Sequence, residues 1–194
     1  MKGEARGQLY SLQATAAYWL RDDRATQRYA DLALSCLVKG STEYYHAVAH
    51  FLVSSGRVKD WESVERTLST VVAAETLPGA IAARALCLAR VGYMFMMQGR
   101  PAQMKQIAEH LDQISRDVPV TESLSLAQVH HFRSGYAMST GDLCGGIYHL
   151  EQTVASFERA GDHRNALMER NTLACNYVEV GDFQRAETIA RLNL

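Results

Sequence analysis

The sequence predicts an all-α protein, an α-solenoid of about five antiparallel helical hairpins, from three observations. Proline occurs three times in 194 residues while alanine and leucine abound, which suits long helices. Apolar residues recur at spacings of three and four along most of the chain, the period of one helix face. Turn residues recur at Asp60, Arg100, Asp142 and Asp182, separated by 40, 42 and 40 positions, with Asp22 or Asp23 preceding Asp60 by 38 or 37. A fixed period of this length marks stacked units, none of which can bury its apolar face alone.

Each element follows from its own pattern. In the first hairpin (4–40), Leu9, Leu12, Ala16, Trp19 and Leu20 share a face. Asp22-Asp23 turns the chain, Tyr29, Leu32, Ala33, Cys36 and Leu37 form the returning stripe, and Gly40 ends it. The second (41–77) starts after Ser41-Thr42 with Tyr44, Ala47, Val48, Phe51 and Leu52. Gly56 breaks that helix, Asp60 caps the next, and Trp61, Val64, Leu68 and Val71 or Val72 return. Pro78-Gly79 separates it from the third hairpin (79–118), where Ile81, Ala85, Leu88, Gly92 and Phe95 precede Gly99-Arg100-Pro101. Met104, Ile107, Ala108, Leu111 and Ile114 complete that unit. The fourth (120–160) carries Leu124, Ala127, Phe132 and Ala137, then Ile147, Leu150, Val154 and Phe157. Its Gly145-Gly146 pair weakens a helix but lets a neighbour approach closely. The fifth (162–194) carries Leu173, Ala174, Tyr177, Gly181, Phe183, Ala186 and Ala190, and the five hairpins together read as one repeat domain.

Composition narrows the function. Lys plus Arg is 20 and Asp plus Glu is 21, a net charge of −1, so no basic excess recommends nucleic acid or an anionic membrane as partner. No apolar run approaches the ~18–20 residues that span a bilayer, and the first ten residues lack the apolar core of a secretory signal, which predicts a cytoplasmic protein. Cys36, Cys87, Cys144 and Cys175 form no CxxC pair and sit in or beside apolar helical patterns, so they read as reduced core residues.

Leu173-Ala174-x-x-Tyr177-x-x-x-Gly181-Asp182-Phe183-x-x-Ala186 resembles the core of a tetratricopeptide repeat. Gly92-x-x-Phe95-x-x-x-Gly99-Arg100 and Ser134-x-x-Ala137-x-x-x-Gly141-Asp142 look like degenerate copies. The period near 40 exceeds the usual ~34 of that repeat, which implies longer helices. Arrays of this kind are similar to the repeat regions of bacterial eukaryotic-like serine/threonine kinases and MalT/LuxR-type regulators, Phe157 to Glu187 most of all. The resemblance implies an interaction module of a bacterial signalling protein. The chain stops in mid-pattern at Arg191-Leu192-Asn193-Leu194, as an excerpt of a longer chain would, and the uncapped last repeat suits a homodimer contact.

Catalytic motifs are missing from the sequence. Gly141-Asp142-Leu143-Cys144-Gly145-Gly146 lacks the lysine and hydroxyl of a phosphate loop, and neither kinase motifs nor GxSxG occur, so the expectation is a non-enzyme without cofactor. His46-x-x-x-His50 places two imidazoles on one helix face but lacks the glutamate of HExxH, and no metal is expected. Glu169, Glu179 and Glu187 fall at solvated-face positions.

The likeness to tetratricopeptide arrays implies that the first helix of each hairpin lines a concave groove where a protein or peptide partner binds. Groove candidates by helical position are His46 and His50 (with Glu43 and Val53), Tyr93 and Met97 (with Leu86 and Ala89), Gln128, His131 and Met138 (with Gly135), and Asn171 and Glu179 (with Met168 and Cys175). Ala89/Tyr93, His131/Gly135 and Asn171/Cys175 stand where carboxylate-clamping tetratricopeptide domains place lysine and asparagine, which argues against such a clamp. Tyr93, Met97 and Met138 suit an adaptable apolar surface, or packing on the next hairpin. The alternative reading is a small-molecule or short-peptide sensor that regulates an attached transcription regulator.

Overall fold

The computed structural model describes residues 2–193, and among these the regular structure is all helical. The helices are α1 (Lys2–Trp19), α2 (Asp23–Leu34), α3 (Thr42–Arg57), α4 (Trp61–Ala73), α5 (Ile81–Met97), α6 (Pro101–Ile114), α7 (Ser123–Ser139), α8 (Leu143–Arg159), α9 (His163–Glu179) and α10 (Phe183–Arg191). A 3-10 turn at Ser115–Asp117 follows α6. Leu194, the last residue of the expected fifth hairpin, lies outside the described residues.

One turn is used again and again. Arg21, Lys59, Gly99, Gly141, Gly161 and Gly181 all take positive φ, between 62° and 86°. The next residue's N–H donates to the carbonyl five positions back, as in Asp60 to Ser55 (2.9 Å), Asp142 to Ala137 (2.9 Å) and Asp182 to Tyr177 (2.8 Å). This left-handed helix stop satisfies carbonyls that a helix end otherwise leaves bare. The same residue then caps the following helix. Asp22, Asp60, Asp142, Asp162 and Asp182 accept from the N–H of Ala25, Ser63, Gly145, Asn165 and Arg185 through their side chains. Arg100 has no such side-chain bond, and Pro101 opens α6 instead, where a missing N–H is harmless.

The chain divides into two compact units, one ending at Val118 and the other beginning at Pro119. In the first, α3 is the central helix, packed against α1, α2, α4 and α5. Tyr44, Tyr45, Ala47 to Leu52 and Val53 to Gly56 are all buried, leaving His46 as the one exposed position of that run. A helix apolar nearly all round is a core helix, which accounts for its sequence. Val64, Leu68 and Val71 of α4 and Cys87, Leu88, Val91 and Phe95 of α5, the two helices after α3 that pack on it, are buried, as are Ile107 and Leu111 of α6, which packs on α5. The segment before α5 is pinned to the first helix pair, because Leu77 N–H donates to the Gly40 carbonyl at 3.0 Å.

In the second unit each helix packs on the next, α7 on α8, α8 on α9 and α9 on α10. Ala127, Phe157 and Ala166 form one apolar cluster. Leu150, Val154, Leu173, Tyr177 and Ala186 form another, with Ile147 and Ile189 packed beside it. Gly146 does permit close approach: a Cβ there would stand 2.5 Å from Met138 Cγ, and Ser134 donates to the Gly146 carbonyl at 2.8 Å.

Several expected positions differ. In α1 the buried residues are Gly7, Ala14 and Ala17, while Leu9, Leu12, Trp19 and Leu20 are exposed. A Cβ at Gly7 would lie 2.9 Å from Leu37, so the small-residue face wins the close contact and the larger apolar stripe turns outward. Helix α2 ends at Leu34, well before Gly40. Gly56 lies inside α3 and does not break it: Met94 fills the space its missing side chain leaves, and Lys59 makes the turn. Leu124, Phe183 and Ala190 are exposed, and Ile189 takes the inward place in α10. Of the cysteines only Cys87 is buried; Cys36 is half-buried, and Cys144 and Cys175 are exposed, because each of these two falls one helical step off its buried stripe.

Candidate functional site

The most elaborated polar cluster is built by α1, α3 and α5, the first helices of three successive pairs. Tyr18, in the last turn of α1, is its centre. The guanidinium carbon of Arg57 (α3) lies 4.9 Å from the Tyr18 ring centroid, and that of Arg90 (α5) lies 4.8 Å from it. Arg57 Nη2 donates to the Tyr18 hydroxyl at 3.3 Å, and Nη1 pairs with Asp23 at 3.2 Å. Burial pushes the Tyr18 phenol upward, but the two guanidiniums outweigh it and leave the phenol below its ordinary pKa.

His50 backs the tyrosine, its ring 5.1 Å from that of Tyr18. Its Nε2 lies 3.1 Å from the Thr15 hydroxyl, which itself stands 3.0 Å from the Ser11 carbonyl. A hydroxyl carries one proton, so donation to Ser11 makes Thr15 accept from Nε2–H and leaves the His50 Nδ1 lone pair exposed to the interior. Nδ1 is buried without a hydrogen-bond partner. Burial, with the Arg90 charge and His46 adding to it, pushes the His50 pKa down to about 3, so the ring is neutral at physiological pH. One turn earlier, partial burial and Arg90 also lower the His46 pKa, while Glu43 pulls the other way.

Arg57 has Asp23 as its counterion, whereas Arg90 has no carboxylate within 4.0 Å among the described residues. Arg90, half-buried as a residue, is held over the Tyr18 ring and hydrogen-bonds the Tyr18 hydroxyl. Such a group recognises anions, carboxylates above all, through its planar fork of N–H donors. Tyr93, half-buried, and Met97, exposed, follow Arg90 on the same face of α5 at spacings of three and four.

The second unit has a buried acid instead. Glu169 of α9 is 9% exposed, which corrects the expectation of a solvated position, and its carboxylate lies 3.6 Å from His131 Nδ1 of α7. Burial pushes Glu169 up to about 7 and His131 down to about 4. Both shifts favour neutral groups, a carboxyl facing a neutral imidazole. Next to it, His130 Nδ1 lies 3.1 Å from His149 Nδ1, and burial followed by the His149 charge lowers His130 to about 4.

The remaining expected groove residues are dispersed. Gln128 and Met138 are half-buried, the latter set against Gly146. Asn171 is exposed and accepts from Asn193 at 2.8 Å, and Glu179 is exposed. Of the two α3 histidines, His46 is exposed and His50 buried. Among the described residues no three His, Cys, Asp or Glu side chains are grouped to hold a metal. Among them, too, no helix is long and apolar enough to cross a membrane.

Sequence reasoning missed Tyr18, Arg57 and Arg90. The signal was present in the period itself: Arg90 stands 40 positions after His50, at the equivalent place one repeat on.

Fold and site together define an all-helical protein with an arginine-flanked aromatic seat on one helical layer. Comparison of the chain with described protein families, with curated proteins and with solved structures finds no match.

Proposed function

We propose that the chain is a protein-interaction module, a repeat of tetratricopeptide-like hairpins with the right-handed superhelical sense of that class, serving a bacterial signalling protein. Its partner binds on the layer formed by α1, α3 and α5. One observation carries this reading: side chains from three successive first helices converge on Tyr18, and exposed His46 and Met97 flank the cluster. The recurrent turn, with its left-handed residue and capping aspartate, supports the repeat character.

The test is affinity capture from lysate of the native host with wild type and with a His46→Glu, Met97→Glu double variant. Both positions are exposed, so the variant keeps the fold. The reading expects a protein retained by wild type and lost by the variant. Equal capture by both, or none by wild type, would overturn it.

A further inference from the structure

We infer that the cleft between α2 and α4 binds a small organic phosphate monoester, its phosphoryl dianion held by Arg24 and Arg28 from one wall and Arg66 from the other. The cleft is separate from the α1–α3–α5 layer, and the inference does not rest on the interaction reading above.

The cleft follows from the packing of the helices. Both α2 and α4 lie against α3, and the furrow between them has α3 as its floor. It encloses about 380 Å³, within the ~300–1,000 Å³ that small ligands occupy. Helical spacing sets Arg24, Arg28 and Asp31 on one face of α2, and Ser63 and Arg66 on one face of α4. Phe51 of α3, itself buried, supplies an apolar floor. Gln27 Nε2 donates to Asp60 Oδ2 at 2.7 Å, which ties the α2 wall to the cap of α4.

Charge selects the occupant. Three guanidiniums and the single carboxylate of Asp31 line the cleft, a surplus of two positive charges. Of the acids beside it, Asp60 is engaged by Gln27 and by the Ser63 N–H. Glu62 reaches Arg66 only at 4.0 Å, and a pair that open to solvent contributes little. A phosphate monoester carries ~1.5 to 2 negative charges at neutral pH and three acceptor oxygens, which matches both the surplus and the number of forks. A carboxylate has one charge and two oxygens, enough for a single guanidinium. Two of the forks are already oriented: Arg28 Nη2 donates to the Tyr29 hydroxyl at 3.2 Å, and Arg66 Nη2 to Ser63 Oγ at 3.3 Å. Side chains held in this way lose less freedom on binding. A phosphoryl group alone fills only part of the cleft, and the remaining space above Phe51 suits an organic substituent. Asp31 opposes the dianion from within the same cleft, so its neutralisation should strengthen binding.

The experiment is isothermal titration calorimetry of the whole chain at low salt and about pH 7.5, where a phosphate monoester is a dianion. Phenyl phosphate is the probe, compared with phenyl sulfate, a monoanion of the same shape, and with inorganic phosphate. Phenyl phosphate should bind roughly 10-fold more tightly than either. Arg24→Gln and Arg66→Gln, on opposite walls, should each weaken it roughly 10-fold, and Asp31→Asn should tighten it about 3-fold. Lys105→Gln removes the same charge from α6 and should leave the affinity unchanged. All four positions are exposed, so these variants keep the fold. Absence of phenyl phosphate binding at millimolar concentration would overturn the inference. So would losses at Arg24 and Arg66 no larger than at Lys105, or weaker binding by Asp31→Asn. Phenyl sulfate binding as tightly would overturn the dianion, and inorganic phosphate binding as tightly would overturn the organic ester.

Discussion

Replacing Glu169 by glutamine should make the protein more stable at neutral and alkaline pH, not less. Glu169 is 9% exposed and its carboxylate sits 3.6 Å from His131, a geometry usually read as a stabilising ion pair. Burial, however, pushes the Glu169 pKa from 4.5 to about 7. A carboxyl whose folded-state pKa exceeds its unfolded value favours folding of the protonated form. That contribution is whole below pH 4.5 and is lost as the pH rises to about 7. At 1.36 kcal/mol per pH unit over this interval, the buried charge destabilises the fold by roughly 3 kcal/mol above pH 7. His131 acts with the opposite sign. Burial lowers its pKa from 6.5 to about 4, so the stability of its neutral form is lost as the pH falls through that range. In wild type the two slopes offset each other between pH 4.5 and 6.5. Glu169→Gln keeps an N–H donor for the imidazole but cannot ionise. Urea denaturation followed by far-ultraviolet circular dichroism from pH 4.5 to 8 should show equal stabilities at the acid end. At pH 8 the variant should lead by roughly 2–3 kcal/mol. A variant less stable than wild type at pH 7, with the gap closing towards acid, would mean that Glu169 is ionised and paired with a charged His131. That result would refute the reasoning.

Three stability predictions follow from backbone and core geometry. Gly40 and Gly79 share a φ of +82°, but a Cβ at Gly40 would lie 2.2 Å from the Glu75 carbonyl oxygen while one at Gly79 meets nothing within 4 Å. Gly79→Ala should therefore cost about 1 kcal/mol from the left-handed backbone alone, and Gly40→Ala about 1–3 kcal/mol more, measured as denaturation midpoints; equal losses would contradict the packing of 75–77 on Gly40. Lys59 has a φ of +63° without being glycine, so Lys59→Gly should raise stability by about 0.5 kcal/mol, relief of strain less the added freedom of the unfolded chain. Tyr177 is 4% exposed, inside the Leu150–Leu173–Ala186 cluster, and donates to Glu151. Calorimetry should record a loss of roughly 3–5 kcal/mol for Tyr177→Ala but about 1 kcal/mol for Tyr177→Phe, which gives up only the hydroxyl bond.

Helices and turns were legible in the sequence because their causes are local. A left-handed residue followed by aspartate stops one helix and caps the next within a few positions, so Asp60, Asp142 and Asp182 could be aligned from spacing alone. Burial was less legible where two faces of one helix compete for the inward place. The Leu9–Leu12–Trp19 stripe has the right period for a core face, yet the inward face of α1 is the one whose Gly7 allows Leu37 to approach. Periodicity finds a stripe and does not say which of two faces wins the contact. The α1–α3–α5 cluster is only partly legible in the sequence. His46, His50, Tyr93 and Met97 were placed on first helices by position. Arg57 and Arg90 were passed over because a charged residue in a helix reads as solvated until a ring 39 or more positions away is brought against it. Glu169 escaped for the same reason, since its burial depends on α7.

The α1–α3–α5 layer as the recognition surface is tested most directly by a photo-crosslinking amino acid placed in the chain within its native host cells. One position is Met97, exposed beside the Arg90–Tyr18 seat, and the control is Arg66 on exposed α4. The account predicts a discrete adduct from position 97 that disappears with Arg90→Gln, and none from position 66. An adduct from position 66 alone, or one from position 97 indifferent to Arg90, would contradict it.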